Sequence, residues 1–196
     1  MSCIYMFSGS SSVGKTTTLD LVRKNAIVVN LTARSVRAKF GNPSWADIIN
    51  DKDLCTSIQT AQLEYFLATL NDTINENLAE LQMPLRSSRP IIVERSAWDV
   101  IGYSMAFQLD KQVIDKQIQQ VENFEDRIFD LNVNANIVTF EIDPKYPYAL
   151  IPERPPEHIR NACAKSLSLL WLRDVQISRI SRQTFQSRMQ LSNISG

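Results

Sequence analysis

A chain of 196 residues with 44% hydrophobic residues, and with 21 basic residues matched by 21 acidic ones, has the size and make-up of one ordinary globular domain. Three scattered cysteines (Cys3, Cys55, Cys163) without a C-x-x-C pair, and a lone histidine, His158, exclude a zinc centre and point to free thiols in a reducing compartment. No stretch reaches transmembrane length, the apolar run Cys3 to Phe7 is too short for a signal peptide, and overall neutrality argues against strong nonspecific nucleic-acid binding, so a cytosolic protein with no membrane partner is expected.

Strand and helix patterns alternate along the whole chain, which predicts a parallel sheet flanked by helices. The first strand is Cys3 to Phe7, followed by a glycine-containing loop and a helix from about Lys15 to Lys24. Ala26 to Asn30 is a short β-branched run, so a buried second strand. A short helix over Thr32 to Phe40 ends at Gly41, and Asn42-Pro43 is a turn. Asp53 to Gln82 is one long helix, with Leu54, Ile58, Ala61, Tyr65 and Leu78 at compatible spacing. Pro90 to Glu94 is the third strand, Ala97 to Leu131 two helices, and Asn136 to Ile142 the fourth strand. A Pro-rich segment, Pro147 to Pro156, precedes a helix over Glu157 to Leu172. Val175 to Ile180 is predicted as a fifth strand and Arg182 to Leu191 as a last helix. The expected architecture is a three-layer α/β/α sandwich with a five-stranded parallel sheet in a single domain over 1–196.

The most specific stretch is Gly9-Ser10-Ser11-Ser12-Val13-Gly14-Lys15-Thr16, which fits G-x-x-x-x-G-K-[ST] at every fixed position. Glycines let the backbone turn its N–H groups inward onto phosphate oxygens. The following helix, which continues through Thr17, offers unpaired N–H groups and a positive dipole end. In such a loop the lysine reaches the β- and γ-phosphates and the hydroxyl ligates Mg2+. A preceding strand and a following helix are the context that the motif requires. ATP and Mg2+ are therefore the expected cofactors.

Charge is distributed unevenly. Met1 to Trp45 holds six basic residues and one acid, Asp20, and Ile151 to Gly196 seven basic residues and three acids. The middle carries 17 acids against 8 bases. Either the two basic ends meet around one phosphate site, or the split is a scatter of solvated faces.

After the third strand the chain reads Glu94-Arg95-Ser96-Ala97-Trp98-Asp99, with Tyr103 four residues on. This resembles the E-R-S element of deoxynucleoside kinases, the D-R element of thymidylate kinase and the D-R-S-x-x-D-x-x-x-Y pattern of ribosylnicotinamide-kinase-like ATPases. Leu31-Thr32-Ala33-Arg34 is similar to that last family's E-T-A-R, with Leu31 in place of its Glu. The fourth strand with its end, V-T-F-E-I-D-P, is similar to the strand before the lid of thymidylate kinases. The resemblance implies a P-loop nucleoside or nucleotide kinase with a lid near 145–160.

A carboxylate at the C-terminal edge of a central strand lies beside the phosphate loop. Glu94 is thus a candidate to hold the metal's hydration shell or to accept the acceptor's proton, and Arg95 to clamp a phosphate. The alternative is a structural Glu–Arg pair. Phosphoryl transfer recruits arginines, and the comparison makes Arg154 and Arg160 lid candidates. Arg34, Arg37 and Asp99 are the acceptor-binding candidates. Trp45, Trp98 and Phe107 stack a base or fill the core, whereas Phe124 and Phe129 are read as core. One departure matters: deoxynucleoside kinases carry a Glu after the second strand as base, and no acid stands between Asp20 and Asp47 here. Glu94 or Asp47 does that work, or the acceptor needs no base.

The expected activity is transfer of the γ-phosphate of ATP to a nucleoside, a nucleotide or a modified base, the last including 5-hydroxymethyluracil within phage DNA. A non-catalytic P-loop ATPase switch is the competing reading. A homodimer is left open.

Overall fold

The β-branched runs form parallel strands β1 (Cys3–Ser8), β2 (Ile27–Val29), β3 (Ile91–Val93) and β4 (Asn134–Phe140) in the order β2-β3-β1-β4. The computed structural model describes residues 3–11, 15–83, 89–140, 154–173 and 181–185, with backbone alone at Thr17, 171–173 and 181–185. Helices α1 (Lys15–Val22), α2 (Ala33–Lys39), α3 (Trp45–Asn50), α4 (Lys52–Leu81), α5 (Ala97–Ala106), α6 (Lys111–Asp130) and α7 (Glu157–Arg173) connect and cover the sheet. A further strand, β5 (Ser181–Phe185), pairs parallel to β4 at the edge.

Both faces of the sheet are apolar, as a parallel sheet requires. Ile4, Met6, Ile91, Val93, Ala135 and Ile137 pack in one core with Leu63 and Phe66 of α4, Ile101 of α5, Val121 of α6 and Leu167 of α7. Phe7, Ile92 and Val138 point the other way and pack with Leu19 of α1. The topology explains this division. The chain leaves β1 for β2 in one direction, then returns through β3 to β4 in the other. With a common crossover hand, that reversal puts α1 on one face and the later helices on the other. The reversal also brings the C-terminal ends of β1 and β3 side by side, where open α/β sheets gather ligands.

Helix α5 is the centre of the larger core, with every residue from Ala97 to Ser104 buried. It touches α7 closely at Gly102, where an added Cβ would lie 2.8 Å from Leu167 Cγ and 3.2 Å from Cys163 Sγ. Gly102→Ala is therefore expected to force the two helices apart and to cost about 1–3 kcal/mol. Denaturant midpoints measure this; an unchanged midpoint would show the helices free to slide.

The structure departs from the sequence expectations in three places. Helix α3 was not expected, yet Ser44 and Asp47 form a capping box at its start. The fifth strand lies at Ser181–Phe185, where a helix from Arg182 was expected; the run Val175 to Ile180 and residues 186–191 fall outside the described residues. Phe129 is 51% exposed at the end of α6, whereas Phe124 is buried as expected. Helical period puts Phe124, Ile128 and Val121 on the inner face of α6 and Phe129 beside it. Trp98 is core: it is buried and its Nε1 donates to buried Glu125 at 2.7 Å. Among the described residues, no helix is long and apolar enough to cross a membrane.

Candidate functional site: a phosphate loop braced by helix α5

At the end of β1 the chain turns sharply. Gly9 has φ 148°, a region that side chains rarely tolerate. Ser10 and Ser11 are buried, and Lys15 and Thr16 open α1. Ser12, Val13 and Gly14 lie outside the described residues, as does the side chain of Thr17.

What holds the turn is Asp99. The chain contains two Ser-x-x-Asp helix starts, Ser44-Trp-Ala-Asp47 and Ser96-Ala-Trp-Asp99. In the first, on the surface, the carboxylate accepts from the Ser44 N–H at 2.8 Å and closes a capping box. In the second, Ser96 caps α5 by accepting from the Trp98 N–H, but Asp99 turns away. Its Oδ1 accepts from Ser8 Oγ at 2.7 Å and from the Gly9 N–H at 2.9 Å. Its Oδ2 lies 3.5 Å from Lys15 Nζ. Asp99, an acceptor-binding candidate from sequence, is 1% exposed and makes these contacts against the turn after β1. The strand order causes this: β3 neighbours β1, so the first turn of α5 sits directly under the turn after β1.

Lys15 is itself buried, and its amine donates to the carbonyls of Gly9 and Ser10, the latter at 2.9 Å. Burial lowers its pKa, Asp99 pulls it back up and Arg95 pushes it down. One turn after Asp99 on α5, Tyr103 reaches the same loop, its hydroxyl accepting from the Ser11 N–H at 2.9 Å. Burial raises the Tyr103 phenol and keeps it neutral. Sequence reasoning gave Tyr103 no role; the signal was its i, i+4 spacing from Asp99, which puts both on one helix face.

Thr16 Oγ1 donates to Glu94 Oε1 at 2.8 Å. Glu94 is positioned by its own N–H, which donates to the Val29 carbonyl at the end of β2. A hydroxyl and a carboxylate in contact beside a loop lysine form a hard, oxygen-only donor pair, which suits Mg2+ with its remaining positions taken by water and phosphate.

Arginines from three separate elements surround this edge. Arg34 lies in the first turn of α2, Arg95 directly after β3, Arg154 just before α7 and Arg160 within it, buried. They are close enough to act on one another: burial, then Arg95, Arg160 and Arg34 in turn, lower the pKa of Arg154. Arg37 holds its guanidinium 5.0 Å over the Trp45 ring. Trp45 in turn stacks on Phe107 at 6.5 Å and 10°, and Phe107 meets Tyr103 at 6.2 Å. The residues expected before α7, 145–153, lie outside the described residues.

No protein-family profile matches the chain. No curated protein matches it in sequence. Solved structures do match. A deoxyadenosine kinase from M. mycoides, with the products dCMP and a flexible dCDP bound, superposes with a TM-score of 0.60 at 13% identity, covering 98% of this chain and 96% of that one. Thymidylate kinase from Candida albicans gives 0.51 at 16% identity, covering 99% and 89%. NadR, in complex with NAD and AMP-PNP, gives 0.52 at 16% identity, covering 98% of this chain and 48% of that one. At such identities the likeness speaks to fold alone, and with the phosphate loop in place it is sufficient for one conclusion: the chain has the α/β, parallel-sheet fold of the P-loop nucleoside and nucleotide kinases.

Proposed function

We propose that this chain is an ATP-dependent phosphotransferase acting on a nucleoside, nucleotide or modified-base acceptor, with residues 1–196 forming one kinase domain and a lid-like segment near 145–160. The observation that carries the reading is the convergence of Lys15, the Thr16–Glu94 pair and Arg95 on neighbouring strand ends, with Arg154 added from just before α7 and Arg160 from within it. A bare ATP-binding switch needs the loop; several further arginines suit a second, negatively charged reactant.

In this reading the N–H groups of residues 9–17 cradle the triphosphate, and Lys15 rotates from the Gly9 and Ser10 carbonyls onto its β- and γ-oxygens. Thr16 and Glu94 hold Mg2+, which when bound draws charge from the β- and γ-oxygens. Arg95, Arg154 and Arg160 neutralise the charge that develops on the moving group. Arg34 and Arg37 face the acceptor, Arg37 held over Trp45. Asp99 and Tyr103 keep the loop in shape and touch no reactant.

The test is [γ-32P]ATP with Mg2+ and a panel of nucleosides, nucleoside monophosphates and DNA containing 5-hydroxymethyluracil. Label is expected in one acceptor class. ATP hydrolysis with label in none of them would replace this reading with a regulatory ATPase.

A further inference from the structure

A cradle of backbone N–H groups needs those groups for phosphate oxygens, and the Ser11 N–H is already engaged. It donates to the Tyr103 hydroxyl at 2.9 Å, and both residues are only 6% exposed. Ser11 follows Gly9 and Ser10, whose carbonyls take the Lys15 amine. Its N–H thus belongs to the end of the loop where such a lysine meets the β- and γ-phosphates. The contacts of Asp99 lie elsewhere, on Ser8 Oγ and the Gly9 N–H at the stem where β1 ends.

Two oxygens cannot both take the Ser11 N–H. Each acceptor sits about 2.7–3.2 Å from the nitrogen along the N–H direction, so a phosphate oxygen enters only as the phenol oxygen leaves. The exchange favours phosphate. A hydrogen bond to an ionised acceptor is roughly twice as strong as one to a neutral hydroxyl, and burial keeps Tyr103 neutral. The hydroxyl moves only with its ring. That ring meets Phe107 at 6.2 Å, Phe107 stacks on Trp45 at 6.5 Å and 10°, and the Arg37 guanidinium lies 5.0 Å over Trp45. The series runs from α5 and its C-cap through the start of α3 to α2. Close-packed side chains transmit a displacement rather than absorb it.

Resting on the triphosphate reading above, we propose that the Tyr103 hydroxyl stands in for a phosphate oxygen at the Ser11 N–H, and that ATP displaces it and so shifts Phe107, Trp45 and Arg37. Tyr103 is a positioning residue in this scheme: it holds the loop until nucleotide takes its place, and it touches no reactant. Binding at the loop and binding at Arg37 are then coupled, each changing the affinity of the other by the same factor.

Tyr103→Phe isolates the effect, because it keeps the ring and removes only the hydroxyl. The variant gives up no hydrogen bond when nucleotide arrives. It is expected to bind AMP-PNP with Mg2+ at least about fivefold more tightly than wild type in calorimetry, as the cost of leaving a buried N–H unpaired predicts. Its Tm is expected to lie below that of wild type without nucleotide and to meet it at saturating analogue. With 5-fluorotryptophan incorporated, and the Trp45 signal assigned through Trp45→Phe, the fluorine resonance of Trp45 is expected to move when wild type binds the analogue. Equal or weaker binding by Tyr103→Phe makes Tyr103 a fixed brace and overturns the proposal. A Trp45 resonance that ignores the analogue in wild type overturns it as well. In both cases the triphosphate reading stands. Binding of the analogue by neither protein overturns that reading and the proposal with it.

Discussion

Lys15→Met is expected to slow phosphoryl transfer by about 10²–10³-fold, the usual consequence of removing one preorganised charge from a developing oxyanion. The structure adds a complication that a generic lysine deletion lacks. Lys15 and Asp99 are 6% and 1% exposed, and their charged atoms lie 3.5 Å apart. Methionine at position 15 fills the space of the lysine stem but leaves the Asp99 carboxylate buried beside an apolar side chain. A loss of activity in that variant therefore mixes lost catalysis with a strained loop. The double variant Lys15→Met with Asp99→Asn removes both charges and separates the two effects. Stability is expected to recover in the double variant relative to Lys15→Met, whereas transfer stays low. If transfer recovers together with stability, Lys15 acts only through the shape of the loop.

Asp99→Ala is expected to be the most destabilising single change in the site. It strips Ser8 Oγ and the Gly9 N–H of their acceptor and leaves the Lys15 ammonium facing Arg95 without its counter-charge. Breaking a buried pair from one side costs about 3–5 kcal/mol, and at this chain length each kcal/mol lowers Tm by roughly 2–4 °C. Asp99→Asn is the informative partner. Its amide oxygen still accepts from Ser8 and Gly9, so the fold survives, but the negative charge is gone. The groups whose charges bear on Lys15 are Asp99, Arg95 and Cys163. Of these, Asp99 is the main influence that keeps the proton on Lys15; without it the pKa, already lowered by burial, falls further. In the proposed mechanism Lys15 serves the phosphates only when protonated. The alkaline limb of kcat/KM is therefore expected to move to lower pH in Asp99→Asn, with the acid limb in place. A purely structural Asp99 would lower Tm and leave that limb where it was.

Much of this arrangement is legible in the residues. The strand–loop–helix context of Gly9 to Thr16 is what points to a triphosphate site, because glycine tolerance and a helix N-terminus act locally. Glu94 and Arg95 follow from the end of a β-branched run, since strand ends in parallel sheets are where ligands collect. The contacts of Asp99 with Ser8, Gly9 and Lys15 are not legible in sequence, because they need the sheet order. Ser44-x-x-Asp47 and Ser96-x-x-Asp99 look alike in sequence, and only the neighbour across the sheet turns one from a cap into a brace. Helix α3 was missed although its capping box was present, because six residues are too few for a periodic signal. Phe129 shows the converse: an aromatic side chain suggests the core, but its phase relative to Val121, Phe124 and Ile128 leaves it half exposed.

The most direct measurement of the central claim is the ratio of ADP formed to inorganic phosphate released during ATP turnover, with and without nucleoside monophosphates. Transfer to an acceptor is expected to yield ADP well in excess of free phosphate, with the excess dependent on Mg2+ and lost in Lys15→Met. Equal amounts of ADP and free phosphate under every acceptor would contradict the account and leave a phosphate loop that serves hydrolysis alone.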